Sequence, residues 1–185
     1  MKTVEAITDK KQILSIKTYL QNRSARDYCF FLLGINTGIR VHDLLHLYVK
    51  DVMTESGEMR QYLYHSAPVD PPIYLNNEVR HTIHSYIQQA SLLYEDFLFK
   101  SRNRPEPISR QQAYRIINEA AKQAGIEGAI GTHTLRKTFG FHAYTKGIAI
   151  SLIQKRLQQS NQSETRQYIG VQANKSIPIK LDVNL

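Results

Sequence analysis

Residues 26–45 read RDYCFFLLGINTGIRVHDLL, and the parsing of this stretch decides how the rest of the chain can be arranged. From Arg26 to Ile35 apolar side chains occupy most sides of a helical wheel, which predicts a helix buried nearly all round. Asn36-Thr37-Gly38 then supplies a stop, because glycine enters the left-handed conformation of a helix C-cap without a Cβ clash. A short helix, HDLLHL, is expected to begin almost at once, so Arg40 falls at the junction of two helices. The single cysteine, Cys29, lies in the same apolar run; it can form no internal disulfide and reads as a small buried side chain.

Working outward, Ile13, Leu14, Ile16 and Leu20 recur at helical spacing behind Thr8, read as the N-cap before Asp9, and the polar QNRS ends that helix. Downstream the pattern changes. VMTES, the turn-like Ser56-Gly57, QYLYHS, the proline cluster APVDPP and IYL predict a short antiparallel meander. Val79, Ile83, Tyr86 and Ile87 then predict a helix over 77–90, and Ala113, Ile116, Ile117, Ala120, Ala121 and Ala124 another within SRQQAYRIINEAAKQAGI. Between them KSRNRPEPISR is a proline-broken loop carrying Lys100, Arg102, Arg104 and Arg110, either simply solvated or placed to contact phosphate. Two more helices are expected over 133–145 and 149–158, joined at Lys146-Gly147, and the tail from Asn174 reads as extended. The expected class is mostly α (α+β), with a small three-stranded antiparallel sheet near residues 52–75.

Composition narrows the function. The 185 residues are 42% hydrophobic and 22% charged, near the globular average, which excludes wholesale disorder. No apolar run approaches the roughly 18 residues of a membrane span, and MKTVEAITDKK is charged too early for a signal peptide. A cytoplasmic protein with no membrane partner is therefore expected. The net charge is +8, and residues 133–185 hold eight basic side chains against two acidic ones. Such a concentrated surplus suits a polyanion, of which nucleic acid is the commonest in the cytoplasm.

The chemistry concentrates in three fragments: TGIRVHDLL at 37–45, HTLRKTF at 133–139, and Tyr168 in TRQYIGV. On a helix His133 and Arg136 are three apart and share a face. Together with Arg40 they offer two guanidiniums and an imidazole, and each guanidinium can hold two phosphate oxygens in a planar fork that lysine cannot imitate. Such a set suits a phosphodiester whose charge rises as a nucleophile attacks. Taken singly, each fragment has a plainer reading: His133 and Arg136 as a surface pair at a helix start, Tyr168 as core packing among eleven tyrosines. The pair His42 and His46 in HDLLH invites a zinc reading, but Asp43 stands where a metalloprotease has glutamate and no third ligand is signposted. Surface histidines are the better account of these two and of His81 and His84.

In this order and spacing the fragments resemble the tyrosine recombinase (phage integrase) family, with TGIRVHDLLHL as its first box, THTLRKTFGFHAY as its second and IQKRLQQSNQSETRQYIGV as its final helix, loop and tyrosine segment. The resemblance covers nearly the whole chain and implies a helical catalytic domain over 1–185, without the separate N-terminal core-binding domain of most relatives and with an extended tail over 174–185. It implies that Tyr168 attacks a DNA phosphate to form a 3′-phosphotyrosyl link, that Arg40, His133 and Arg136 assist, and that Asp43 supports the site. Lys137 joins Lys100, Arg102, Arg104 and Arg110 as expected DNA contacts. No metal or cofactor is implied. The implied partners are duplex DNA, further copies of the chain as dimer or tetramer on it, and a partner recombinase or accessory protein.

Two positions depart from the family. Its hairpin lysine, a general acid for the leaving 5′-oxygen, has no counterpart, since no lysine lies between Lys50 and Lys100; Ser66 or, better, His65 falls there. Gln158-Gln159 stands where relatives have Gly or Asn followed by His, so Gln159 can donate a hydrogen bond but carry no charge. A missing general acid typically costs 10²–10⁴-fold in rate. The alternative to a recombinase is therefore the same fold kept as a DNA-binding repressor or accessory factor.

Overall fold

The computed structural model describes residues 4–64 and 72–171. Helix α2 (Ala25–Thr37) is the centre of the molecule and packs against α1 (Lys10–Arg23), α5 (Asn77–Gln89) and α7 (Thr132–Thr145). Its wheel explains the position: Cys29, Phe30, Phe31, Leu32 and Leu33 are all buried, so the helix needs neighbours on every side. Phe30 meets Phe99 edge to face, with ring centroids 5.3 Å apart, a favoured aromatic geometry. Helix α6 (Arg110–Gln123) lies against α1 and α7 through its alanine-rich face.

Gly38 ends α2 in the left-handed conformation, φ 66°, and its N–H closes the helix on the Gly34 carbonyl at 3.2 Å. The chain then turns directly into α3 (Val41–Leu45) and α4 (Val49–Val52). A second, smaller apolar cluster joins Ala143 of α7 to Ile153 and Leu157 of α8 (Ile150–Leu157) and Ile169 of α9 (Gln162–Ile169), with Phe139 and Tyr168 packed against it. Gly140 permits this approach, since a Cβ there would lie 2.5 Å from Ile169 Cγ2 and 3.0 Å from Leu157 Cδ1.

The helix pattern follows the sequence reading with local shifts. Asp9, not Thr8, caps α1: its carboxylate accepts the Lys11 N–H at 2.8 Å, and aspartate is the stronger cap. Helix α2 begins one residue earlier than expected because Ser24 caps it, accepting from the Asp27 N–H. Among the described residues the sheet has two strands, β1 (Tyr62–Leu63) and β2 (Ile73–Tyr74), paired antiparallel, where three were expected. Residues 49–52 coil into α4, leaving only a Met53–Met59 bridge closed by the turn at Ser56-Gly57; a helical turn cannot present a ladder to a neighbouring strand. The tail over 174–185 lies outside the described residues.

Ahead of α1, residues 4–7 run beside α7. The Ile7 N–H donates to Thr138 Oγ1 at 2.9 Å, His142 Nε2 donates to the Ile7 carbonyl at 2.9 Å, and the Glu5 N–H donates to Ala129 O at 3.0 Å.

Gly38→Ala tests the α2–α7 crossing. A Cβ at this positive φ would sit 2.5 Å from Phe139 Cδ1, so backbone strain adds to overpacking. Chemical denaturation is expected to show a loss of about 2–4 kcal/mol.

Candidate active site

The two fragments that carry arginine meet because α2 and α7 cross. Arg40 is the N-cap residue of α3, in extended conformation (φ −64°, ψ 140°), with no side-chain cap bond, and it is exposed. His133 and Arg136 lie on the first turns of α7, whose start is secured by the Gly131 N–H donating to Thr134 Oγ1 at 3.1 Å. Arg40, His133 and Arg136 line a single cleft of about 160 Å³, together with Val41, His42, Arg110 and Thr132.

Within it the two guanidiniums differ. Arg40 is open to solvent, whereas Arg136 is 6% exposed. Arg136 Nη2 donates to the Leu157 carbonyl at the end of α8, 2.6 Å away, and its guanidinium lies close enough to the Tyr168 phenol for each to act on the other's ionisation. Burial lowers the Arg136 pKa, an effect opposed by Tyr168 and Asp43 and reinforced by the like charge of Arg40. The half-buried Tyr168 sits on the last turn of α9. Burial raises its phenol, while the charge and hydrogen bond of Arg136 and the charge of Arg40 pull it back down. The arrangement thus places a phenol beside two cations that favour its ionised form, in a cleft able to receive an anion.

Gln159 is drawn to the same point. Its Nε2 donates weakly to the Leu157 carbonyl at 3.4 Å, and its own carbonyl accepts from Gln154 Nε2 at 3.2 Å. The residue before it, Gln158, is left-handed at φ 51° and ends α8, a conformation glycine or asparagine adopts more easily. That gives a backbone reason for the residue types the family prefers at this position.

The remaining expected residues are dispersed. Arg110, read as part of the loop, is the first residue of α6, and this brings it into the cleft. Arg102 and Arg104 are exposed on the loop, and Arg102 borders two grooves with Arg23 and Arg26. Lys100 is ion-paired to Asp96 at 2.6 Å. Lys137 departs from the expected surface contact: it is 9% exposed, with its ammonium over the Tyr168 ring, because it lies about 100° round α7 from Arg136 and there meets α9. His65 and Ser66 lie outside the described residues.

Sequence reasoning missed His42 and Thr132 as cleft residues and the Leu157 carbonyl as the anchor of Arg136. Thr132 could have been found as the first residue of a helix beginning at the site. The other two depend on contacts between distant segments. His42 and His46 stack with ring centroids 4.3 Å apart, and His46 Nδ1 donates to the His42 carbonyl at 2.7 Å. Among the described residues no group of three or more His, Cys, Asp or Glu could hold a metal ion, and no helix is long and apolar enough to cross a membrane.

Known proteins resemble this chain in sequence and in fold. The model of the phage integrase family matches residues 6–175. A probable integrase/recombinase, YoeC, of Bacillus subtilis is 39% identical over 178 residues, covering 92% of each chain. The type 1 fimbriae regulatory protein FimE of Escherichia coli K12 is 32% identical, over 80% of this chain and 76% of FimE. A tyrosine recombinase of Pseudothermotoga lettingae is 30% identical over 80% of this chain but only 51% of its own length. Among solved structures, XerA recombinase superposes with a TM-score of 0.75 at 22% identity, over 93% of this chain and 60% of XerA. A lambda integrase dimer bound to a core site gives 0.69 at 20%, over 98% and 65%. The fold is therefore that of these catalytic domains.

The two arginines should separate by stability. Arg136→Ala strips a buried partner from the Leu157 carbonyl and the Tyr168 phenol, and is expected to cost about 1–3 kcal/mol. Arg40→Ala, at an exposed side chain facing a like charge, is expected to stay within about 0.5 kcal/mol of the parent. Urea unfolding of both variants reads the difference.

Proposed function

The chain belongs to the phage integrase family, and from that premise we propose that it binds duplex DNA and breaks and rejoins it at a specific site through Tyr168. The observation that carries this reading is the convergence of Arg40, His133 and Arg136 on one cleft, with the Tyr168 phenol within electrostatic reach of both arginines.

In the proposed reaction the Tyr168 oxygen attacks the phosphorus and loses its proton. The bond to the 5′-oxygen breaks, that oxygen takes up a proton, and a 3′-phosphotyrosyl bond is left. A 5′-hydroxyl from another strand then attacks the same phosphorus and releases the phenol. The energy of the phosphodiester is retained in the covalent intermediate, so the two steps are chemically alike. Arg40 and Arg136 bind the non-bridging oxygens, and the buried member acts in surroundings that strengthen its effect on a developing charge. His133 adds a hydrogen bond or moves a proton. Arg110, on the rim of the same cleft, is placed for an adjoining phosphate, and Arg102 and Arg104 extend the basic surface along the loop.

The protonation of the leaving 5′-oxygen is the weak step. Gln159 carries no charge, and His65 is the general acid assigned to that role in this reading. The protein acts in the cytoplasm as a dimer on one site and a tetramer in the synapse. A catalytically silent DNA-binding regulator is the competing reading, and it rests on the missing lysine.

A 5′-bridging phosphorothiolate substrate, carried on DNA selected for specific binding, separates the two. Its sulfur leaves without a general acid, so a covalent adduct is expected with the parent and none with Tyr168→Phe. Ordinary DNA should react about 10²–10⁴-fold more slowly than it would with a competent acid. Specific binding with no adduct on either substrate establishes the regulator instead. Arg102→Ala and Arg104→Ala are each expected to weaken binding across all sequences and to reduce the salt slope by about 1, measured by fluorescence anisotropy between low and moderate salt.

A further inference from the structure

Lys137 occupies a place that neither a surface contact nor a core residue explains. It follows Arg136 on α7 and is 9% exposed. Lysine is almost never so buried unless paired, yet among the described residues no carboxylate lies within ion-pair distance of it. Nζ lies instead 5.1 Å from the centroid of the Tyr168 ring, within the range of a cation–π contact, which strengthens as water is removed. Burial lowers the Lys137 pKa, and the Glu5 carboxylate on the segment beside α7 works against that shift and favours the ammonium. Glu5 is itself fixed by its backbone bond to Ala129.

We infer that Lys137 is a positioning residue for Tyr168, its ammonium seated on the face of the phenol ring. The inference rests on the reading of Tyr168 as nucleophile. With no contact on its face the ring could turn about its own axis and swing on χ1. A cation over the face opposes both motions, because moving away forfeits a favourable neighbour of a desolvated charge. The ring is then held where its oxygen can line up with a phosphorus gripped by Arg40 and Arg136, and alignment of reacting atoms is a large part of what a rigid site contributes.

The test is single-turnover cleavage of the phosphorothiolate DNA by the parent, Lys137→Met, Lys137→Arg and Glu5→Gln, with DNA affinity, its salt dependence and the melting temperature measured alongside. Methionine keeps the volume and loses the charge. Lys137→Met is expected to cleave about 5- to 30-fold more slowly, with affinity, salt slope and melting temperature unchanged. Lys137→Arg is expected to recover most of the rate, since a guanidinium also binds an aromatic face, and Glu5→Gln to show a smaller loss in the same direction. Weaker DNA binding with a reduced salt slope in Lys137→Met would make Lys137 a phosphate contact and overturn the inference. So would parental cleavage by Lys137→Met, or an equal loss of rate and melting temperature in the Met and Arg variants. If Lys137→Met does not fold, parental rates in Glu5→Gln together with an unrescued Lys137→Arg overturn it. No adduct from the parent removes the nucleophile reading itself, whereas adduct from the parent and Lys137→Met at equal rates removes only the role of Lys137.

Discussion

The buried guanidinium of Arg136 is the constraint around which the molecule is arranged. A cation taken out of water must be met by fixed partners or it unfolds its surroundings. Here the partners come from two other elements: the Leu157 carbonyl at the end of α8 and the phenol of Tyr168 on α9. Satisfying one charge thereby ties α7, α8 and α9 into a unit, and the small apolar cluster of Ala143, Ile153, Leu157 and Ile169 packs underneath it. Stability and chemistry share the same atoms, because the group that anchors the last helices is also the group that would meet the phosphate.

The positive charge this concentrates is unfavourable in the free protein. Arg40 opposes the charge on Arg136, and Asp43 only partly offsets it. An uncompensated cluster of this kind marks a site awaiting an anion more than a structural ion-pair network. The exposed state of Arg40 and His133 fits that reading, since among the described residues neither has a side-chain hydrogen bond or ion pair. Arg136 and Lys137, neighbours on one helix, both lie near the Tyr168 side chain, Lys137 over the face of its ring.

Much of the fold could be read from local patterns. The all-round apolar run of α2, the glycine stop at Gly38 and the alternation of apolar faces in α5 and α6 each depend on neighbours within a turn or two, and periodicity registers such dependence. The first expected strand, VMTES at 52–56, is reduced to a bridge at Met53 because a β-branched residue such as Val52 serves a helical turn packed on a core as well as a strand. The shift of the α1 cap from Thr8 to Asp9 is of the same local kind, decided by which of two adjacent oxygens reaches the Lys11 N–H.

What the sequence determined by itself was the inventory of the site and the side chains able to grip a phosphate. Arg40, His133, Arg136 and Tyr168 are legible because guanidinium, imidazole and phenol chemistry belongs to the residue and its order along the chain. Which of the basic residues would stand together was decided only by tertiary structure. The α2–α7 crossing, allowed by Gly38, carried Arg40 to the start of α7, and α6 delivered Arg110 from its loop into the same cleft. The same packing turned Lys137 inward onto Tyr168. Charge is a property of the residue, but exposure, the partner that holds it and the direction in which it points arise from contacts between segments far apart in sequence, and no local pattern encodes them.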